Sequence, residues 1–148
     1  AARNTNEYMS EHVVKLLRDA LNEINVNFSG ATVTLLGVSY KPNVSDVQIA
    51  PSKEIIDILQ KSEVKIKIFD PYFKSTTVFS HKTESNFDEA ISGADAVILV
   101  TAHDDFCNLD LSTLIRLMKN PVIIDCQGTI MPEKAKKAGL IFRGIGQR

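Results

Sequence analysis

The chain has 148 residues, of which 44% are hydrophobic and 24% charged, and its formal net charge at pH 7 is −1. This length fits one domain with a modest appendage and can bury a real core. The near-neutral charge argues against bulk electrostatic binding to nucleic acid or anionic membrane, so any anion must be met by a local site. We expect neither a membrane span nor a signal peptide, because no apolar run is long enough.

The first predicted element is an amphipathic helix over about residues 6–24, which ends before the breaking sequence NVNFSG at residues 25–30. Its apolar stripe needs a partner surface, and we expect a second chain or the helix's own domain to cover it. The stripe comprises Met9, Val13, Leu16, Leu17, Ala20, Leu21 and Ile24.

Strands and helices then alternate to the end of the chain. Apolar and β-branched runs predict strands, and Pro51 suits the first turn of a helix. The predicted strands are residues 31–38, 63–70, 95–100, 121–125 and 140–146; the predicted helices start at Pro51 or cover residues 87–91, 108–118 and 131–139. Steady alternation predicts an α/β fold with a parallel sheet covered on both faces.

Ligands of such sheets bind in the crevice beyond the carboxyl ends of the strands. This rule selects four segments: residues 39–46, 70–73, 101–106 and 125–129. Lys41 is either a solvated loop lysine or, beside a helix N-terminus, a partner for a phosphate or carboxylate. Asp70 follows its strand as the ribose-binding acid of dinucleotide folds does, but G-x-G-x-x-G is absent, so we favour a structural turn.

The remaining polar candidates have plain interpretations. His103, Asp104 and Asp105 are consecutive and do not converge as metal ligands, so we predict a turn and no metal site. Cys107 is interpreted as inert. Cys126 is better placed, at a strand end, but it lacks the nearby base that a nucleophile needs. Two cysteines without a CxxC pair favour a reducing cytoplasm.

Several segments resemble a known family in the expected order along nearly the whole chain. GVSYKPNVSDVQIAPS is similar to the G-x-x-[FY]-K-x-x-T-x-D-x-R-x-[SA]-P-S segment of the UDP-glucose/GDP-mannose dehydrogenase family. VKIKIFDPY, AVILVTAHDDFCNLDL and NPVIIDCQGTI resemble its later strands, and ARNTNEYMSEHVV resembles the end of its central helix. The subgroup that the chain most resembles is that of the UDP-N-acetylmannosamine dehydrogenases.

The resemblance implies an NAD-dependent oxidation, in polysaccharide biosynthesis, of the C6 alcohol of a UDP-sugar to a carboxylate. It implies that this chain is the C-terminal third of such an enzyme. Residues 1–28 would be the end of the central dimerisation helix and a linker, and residues 29–148 a Rossmann-like UDP-sugar-binding domain. Neither GxGxxG nor the family's G-G-x-C-x-x-K-D cysteine motif occurs here. No catalytic residue is therefore expected in this chain, and NAD is expected to bind mainly elsewhere.

Family roles transfer to four positions. Tyr40 and Lys41 match the aromatic–lysine pair that contacts the UDP-sugar. Gln48 stands where a family arginine approaches the cofactor, and Gln127 stands where an arginine contacts substrate. Glutamine lacks the fixed charge and the bidentate fork of arginine. The resemblance also implies a homodimer through the N-terminal helix. A non-catalytic module of the same fold, used for assembly or ligand sensing, stays open as the alternative.

Overall fold

The computed structural model describes residues 2–38 and 51–145, with side chains from Met9 and, after the gap, from Ser52. Its main sheet has five parallel strands in the order β2-β1-β5-β6-β7. The strands are β1 (Thr32–Leu36), β2 (Lys65–Phe69), β5 (Ala96–Leu99), β6 (Val122–Asp125) and β7 (Ile141–Gly144). All five predicted strands and the parallel α/β arrangement are confirmed.

Helices cover both faces of the sheet. They are α1 (Ala2–Glu23), α2 (Pro51–Lys61), α3 (Phe87–Ile91), α4 (Asp104–Cys107), α5 (Leu111–Leu117) and α6 (Pro132–Ala138). Asp110 caps α5 by accepting a hydrogen bond from the Ser112 backbone N–H. Apolar residues of α1 and α2 pack on one face of the sheet, and those of α3, α5 and α6 pack on the other.

The apolar stripe of α1 packs on its own domain. Its contacts are with α2, β6 and β7, and its most deeply buried residues are Val13, Leu17, Ala20 and Leu21. A 2.6 Å ion pair from Arg143 to Glu23 ties β7 to the end of this helix. Met9, near the other end of α1, remains 40% exposed. Of the helices in the described part of the chain, none is long and apolar enough to cross a membrane.

A short antiparallel hairpin lies against the edge strand β2 and was not predicted. It comprises β3 (Thr77–Val78) and β4 (His81–Lys82), and its turn places Phe79 and Ser80 at φ 50° and 68°. The Glu84 N–H donates to the Ile68 carbonyl of β2, so the chain after the hairpin satisfies part of this edge. The turn lacks the Asn-Gly sequence by which such hairpins are recognised.

Gly37 ends the central strand β1 in a conformation that a side chain would disturb. Its φ is +92°, and a Cβ atom there would lie 2.5 Å from Cβ of Thr101. Thr101 follows β5, so the absence of a side chain lets the carboxyl ends of β1 and β5 approach each other. The glycine is needed for close packing at the point where the sheet's order reverses.

Replacing Gly37 with alanine should therefore destabilise the fold by more than backbone strain alone. Gly30 is a matched control, because its φ is +89° and nothing lies within 4 Å of a Cβ added there. We expect Gly30→Ala to lower the free energy of unfolding by about 1–2 kcal/mol and Gly37→Ala by about a further 1–3 kcal/mol. Urea denaturation of both variants measures the difference. Equal losses would show that the contact with Thr101 has no energetic consequence.

Candidate functional site

Three of the four predicted crevice segments meet at the carboxyl edge of the sheet, and the fourth lies outside the described residues. Tyr40 and Lys41 belong to that segment, residues 39–46, and Gln48 follows it, so all three lie within the undescribed residues 39–50. The described residues on either side of this stretch are linked by a hydrogen bond. The Ser52 hydroxyl, at the start of α2, donates to the Val38 carbonyl at 2.9 Å. This hydrogen bond is buried and holds Val38 and Ser52, the described residues that flank the stretch, together.

The Asp70 carboxylate, fully buried after β2, holds three strand ends together. Oδ2 accepts the Val38 N–H after β1 at 2.8 Å and lies 2.9 Å from Nε2 of His103 after β5. Oδ1 accepts the Tyr72 N–H at 2.8 Å. The predicted structural role is confirmed. With its two oxygens occupied and no exposed surface, this carboxylate is not available to bind a ribose.

His103 is fully buried and completes this arrangement. Its ring contacts the rings of Tyr72 and Phe106, with centroid distances of 5.0 and 5.8 Å. The predicted turn over residues 103–105 is wrong in detail, because His103 is the N-cap of α4 and Asp104 and Asp105 form its first turn. Within residues 2–38 and 51–145, no group of three His, Cys, Asp or Glu side chains could hold a metal ion.

The loop after β6 is pinned by a second buried carboxylate. Asp125 accepts the Gln127 N–H through Oδ1 at 3.0 Å and the Ile130 N–H through Oδ2 at 2.8 Å. The Gln127 side chain then crosses towards β5, where its amide nitrogen donates to the Val100 carbonyl at 3.0 Å. Gln127 itself is exposed, so this predicted binding residue lies at the surface of the carboxyl edge.

The two thiols have different environments. Burial, with a smaller contribution from the neighbouring Asp125 charge, raises the pKa of Cys126 to about 12. A thiol of this kind remains protonated at neutral pH and is a poor nucleophile, in agreement with the sequence interpretation. Cys107 is exposed, and its thiol contacts the His103 carbonyl at 3.5 Å. Both cysteines are free.

Positive charge is scarce in the four crevice segments. Residues 70–73, 101–106 and 125–129 contain no lysine or arginine, and Lys41 is the only such residue in residues 39–46. Asp70 and Asp125 are both committed to backbone N–H groups. These three described segments therefore present neutral groups and the α4 carboxylates, whereas Lys53 and Lys134 lie in the first turns of the flanking helices α2 and α6.

Comparison with known proteins matches residues 34–132 to the UDP binding domain of the UDP-glucose/GDP-mannose dehydrogenase family. The chain belongs to this family. It is 30% identical over 146 residues to a UDP-N-acetyl-D-mannosamine dehydrogenase of Pyrococcus horikoshii, covering 99% of this chain and 32% of that protein. It is also 30% identical over 151 residues to a UDP-glucose 6-dehydrogenase of Bacillus subtilis, with coverages of 99% and 32%.

A solved structure of the Pyrococcus horikoshii UDP-D-ManNAc dehydrogenase superposes with a TM-score of 0.83 at 29% identity, over 98% of this chain and 32% of that one. A second structure, the NDP-N-acetyl-D-galactosaminuronic acid dehydrogenase of Methanosarcina mazei, gives a TM-score of 0.88 at 26% identity, over 99% and 31%. The chain thus spans about a third of the length of these family members. The family resemblance seen in the sequence motifs is confirmed.

Two residues that organise the site were missed by the sequence interpretation. Ser52 was read only as part of a family motif, although a serine in the first turn of a helix is a common partner for backbone groups. His103 was weighed as a metal ligand, and its pairing with Asp70 spans 33 positions. No local pattern marks such a pair, because only the parallel arrangement of β2, β1 and β5 brings its members together.

Asp70→Asn should weaken the fold because an amide offers only one acceptor oxygen to the Val38 and Tyr72 N–H groups. One buried donor is then left unpaired, and we expect the free energy of unfolding to fall by about 1–3 kcal/mol. The control is Asp110→Asn at the exposed N-cap of α5, where asparagine caps as well as aspartate. Chemical denaturation measures both. An equal change in the free energy of unfolding for the two variants would contradict the structural role of Asp70.

Thiol titration should distinguish the two cysteines. In the native protein at pH 8, a disulfide reagent should modify one thiol per chain, since the raised pKa of Cys126 keeps that thiol neutral and Cys107 is exposed. Cys107→Ser should abolish the native reaction, whereas Cys126→Ser should leave it intact, and unfolding should expose both thiols. Rapid native labelling of Cys126, identified by mass spectrometry, would contradict its assigned environment.

Proposed function

We propose that this chain is the nucleotide-sugar-binding C-terminal domain of an NAD-dependent dehydrogenase that oxidises the C6 alcohol of a UDP-sugar to a carboxylate. The observation that carries the proposal is the match of residues 34–132 to a UDP binding domain. The names of the similar proteins, UDP-N-acetyl-D-mannosamine dehydrogenase and UDP-glucose 6-dehydrogenase, support the substrate class.

The fold supports a binding site at the reversal of strand order between β1 and β5. In parallel sheets the crevice at this point is the usual ligand site. Val38 and Ser52, the described residues on either side of the stretch that carries Tyr40 and Lys41, are hydrogen-bonded to each other after β1. In this proposal Tyr40, Lys41 and Gln127 contact the UDP-sugar. Lys41 supplies positive charge, since the other three crevice segments contain no lysine or arginine.

The chemistry itself belongs to the remainder of the enzyme. Cys126 has the wrong protonation state for a nucleophile, and the family's cysteine motif is absent from the chain. The occupied Asp70 carboxylate does not fit the ribose of a dinucleotide. We therefore propose that NAD, which would accept the hydride, binds mainly to another domain. Gln48 is the residue of this chain that would lie near the cofactor. Upstream sequence containing G-G-x-C-x-x-K-D would support this assignment.

A non-catalytic module used for assembly or ligand sensing is the second candidate. The observation that favours it is the replacement of two family arginines by Gln48 and Gln127, which removes fixed charges from the proposed cofactor and substrate contacts. Upstream coding sequence without the cysteine motif would support the module. The same sequencing therefore separates the two candidates.

The remaining proposals concern assembly and location. The full-length protein is proposed to form a homodimer through the N-terminal helix, whose described surface includes the exposed Met9 near one end. The division of the chain at residue 28 stays a prediction. Free cysteines and a nucleotide-sugar substrate agree with a cytoplasmic location. No nucleic-acid or membrane partner is proposed.

UDP binding tests the central assignment. Lys41→Ala should remove a charge-assisted contact and weaken binding about ten- to hundredfold, which would abolish measurable heat in a weak complex. The control is Lys61→Ala, because Lys61 lies exposed in the last turn of α2, away from the carboxyl edge. Isothermal titration of UDP into both variants gives the comparison. An unchanged isotherm for Lys41→Ala would reject the assigned site.

A further inference from the structure

The side-chain amide of Gln127 has a fixed orientation. Its nitrogen lies 3.0 Å from the Val100 carbonyl, which can only accept a hydrogen bond, so the NH2 group must face that carbonyl. The backbone of Gln127 is also held, because its N–H donates to Asp125. The carbonyl oxygen Oε1 therefore points away from Val100, and no residue in the described part of the chain donates to it.

This free acceptor lies at the proposed site. Gln127 follows β6 and its side chain reaches the end of β5, whose other neighbour in the sheet is β1. The residue is exposed, and Oε1 has no donor among the described residues. A carbonyl oxygen presents the negative end of its dipole and repels a phosphate, whereas it accepts a hydrogen bond from a hydroxyl or an amide N–H.

We propose that Gln127 is a specificity-determining residue that recognises a neutral hydrogen-bond donor on the sugar, a hydroxyl or an amide N–H, through Oε1. This inference rests on the proposed function. An arginine at this position has five donors and no acceptor, so it favours an anionic group instead. The replacement of arginine by glutamine thus inverts the polarity of the contact. In this proposal the diphosphate is bound by Lys41 and by other parts of the protein.

The charge distribution agrees with this division. Apart from Lys41, the four crevice segments contain no lysine or arginine, and α4 adds the carboxylates of Asp104 and Asp105 close to the β5 end. A phosphate beside Gln127 would meet the negative end of the amide carbonyl dipole. An uncharged sugar substituent carries no such penalty and supplies the donor that Oε1 can accept.

The test measures how much the sugar adds to the binding of UDP. Dissociation constants for UDP, a UDP-hexose and a UDP-N-acetylhexosamine are determined by calorimetry on the natural gene product. The quantity compared between variants is the dissociation constant of UDP divided by that of the UDP-sugar. Gln127→Arg keeps a donor for Val100 but loses the acceptor, and Gln127→Met loses both. Gln60→Arg repeats the first substitution on the exposed surface of α2 and serves as the control.

We expect the ratio to fall about two- to tenfold in Gln127→Arg and Gln127→Met and to stay constant in Gln60→Arg. Gln127→Arg should also tighten UDP itself, because it adds a positive charge. A fall for both sugars identifies a hydroxyl as the donor, and a fall for the N-acetylhexosamine alone identifies the amide N–H. Either result supports the proposal, since a merely structural role would change all ligands equally.

Two results would overturn the inference while leaving the proposed function intact: an unchanged ratio in both Gln127 variants, or a larger gain for the UDP-sugar than for UDP in Gln127→Arg. Equal weakening of UDP and the UDP-sugars in Gln127→Met would indicate a structural role or a contact with the nucleoside, and either would reject the sugar contact. Absence of any UDP or UDP-sugar binding by the unmodified protein would instead reject the proposed function, and this inference with it.

Discussion

The buried carboxylate of Asp70 fixes the carboxyl edge of the sheet. It bonds to the backbone after β1, to the backbone after β2 and to the His103 ring after β5, so one side chain joins the ends of three adjacent strands. A buried carboxylate is costly unless its lone pairs are satisfied, and here each oxygen has a partner. Gly37 complements this arrangement by allowing β1 to approach Thr101 closely.

The internal hydrogen bonds of the buried carboxylates also limit which polar groups the edge can present to a ligand. Asp125 repeats the role of Asp70 by binding two N–H groups of the loop after β6. Both carboxylates are hydrogen-bonded within the protein. The described edge therefore has the topology of a dinucleotide-binding fold, but it has no carboxylate available to bind a ribose. The surface that remains is mainly neutral, with the Gln127 amide at its exposed end. Under the proposed function, Lys41 supplies positive charge for the nucleotide diphosphate.

Much of the fold was predictable because its signals are local. A central parallel strand is apolar on both faces, as in β1 and β5, and Pro51 and Gly139 stand at the N-terminus of α2 and the C-terminus of α6. The hairpin of β3 and β4 was missed because Phe79 and Ser80 adopt left-handed conformations that their residue types do not predict. The single-turn helix α4 is too short to show helical periodicity.

The sequence by itself determined the class of fold, the family and the segments that form the crevice, because periodicity, turn residues and family motifs are properties of neighbouring residues. It also identified Gln127 as a departure from the family. Only the tertiary structure decided what Asp70, His103 and Gln127 do there. Each acts on a residue at least 27 positions away, and such contacts depend on which strands are adjacent in the sheet. Strand order, and with it the direction of each polar side chain, arises only when the crossovers pack.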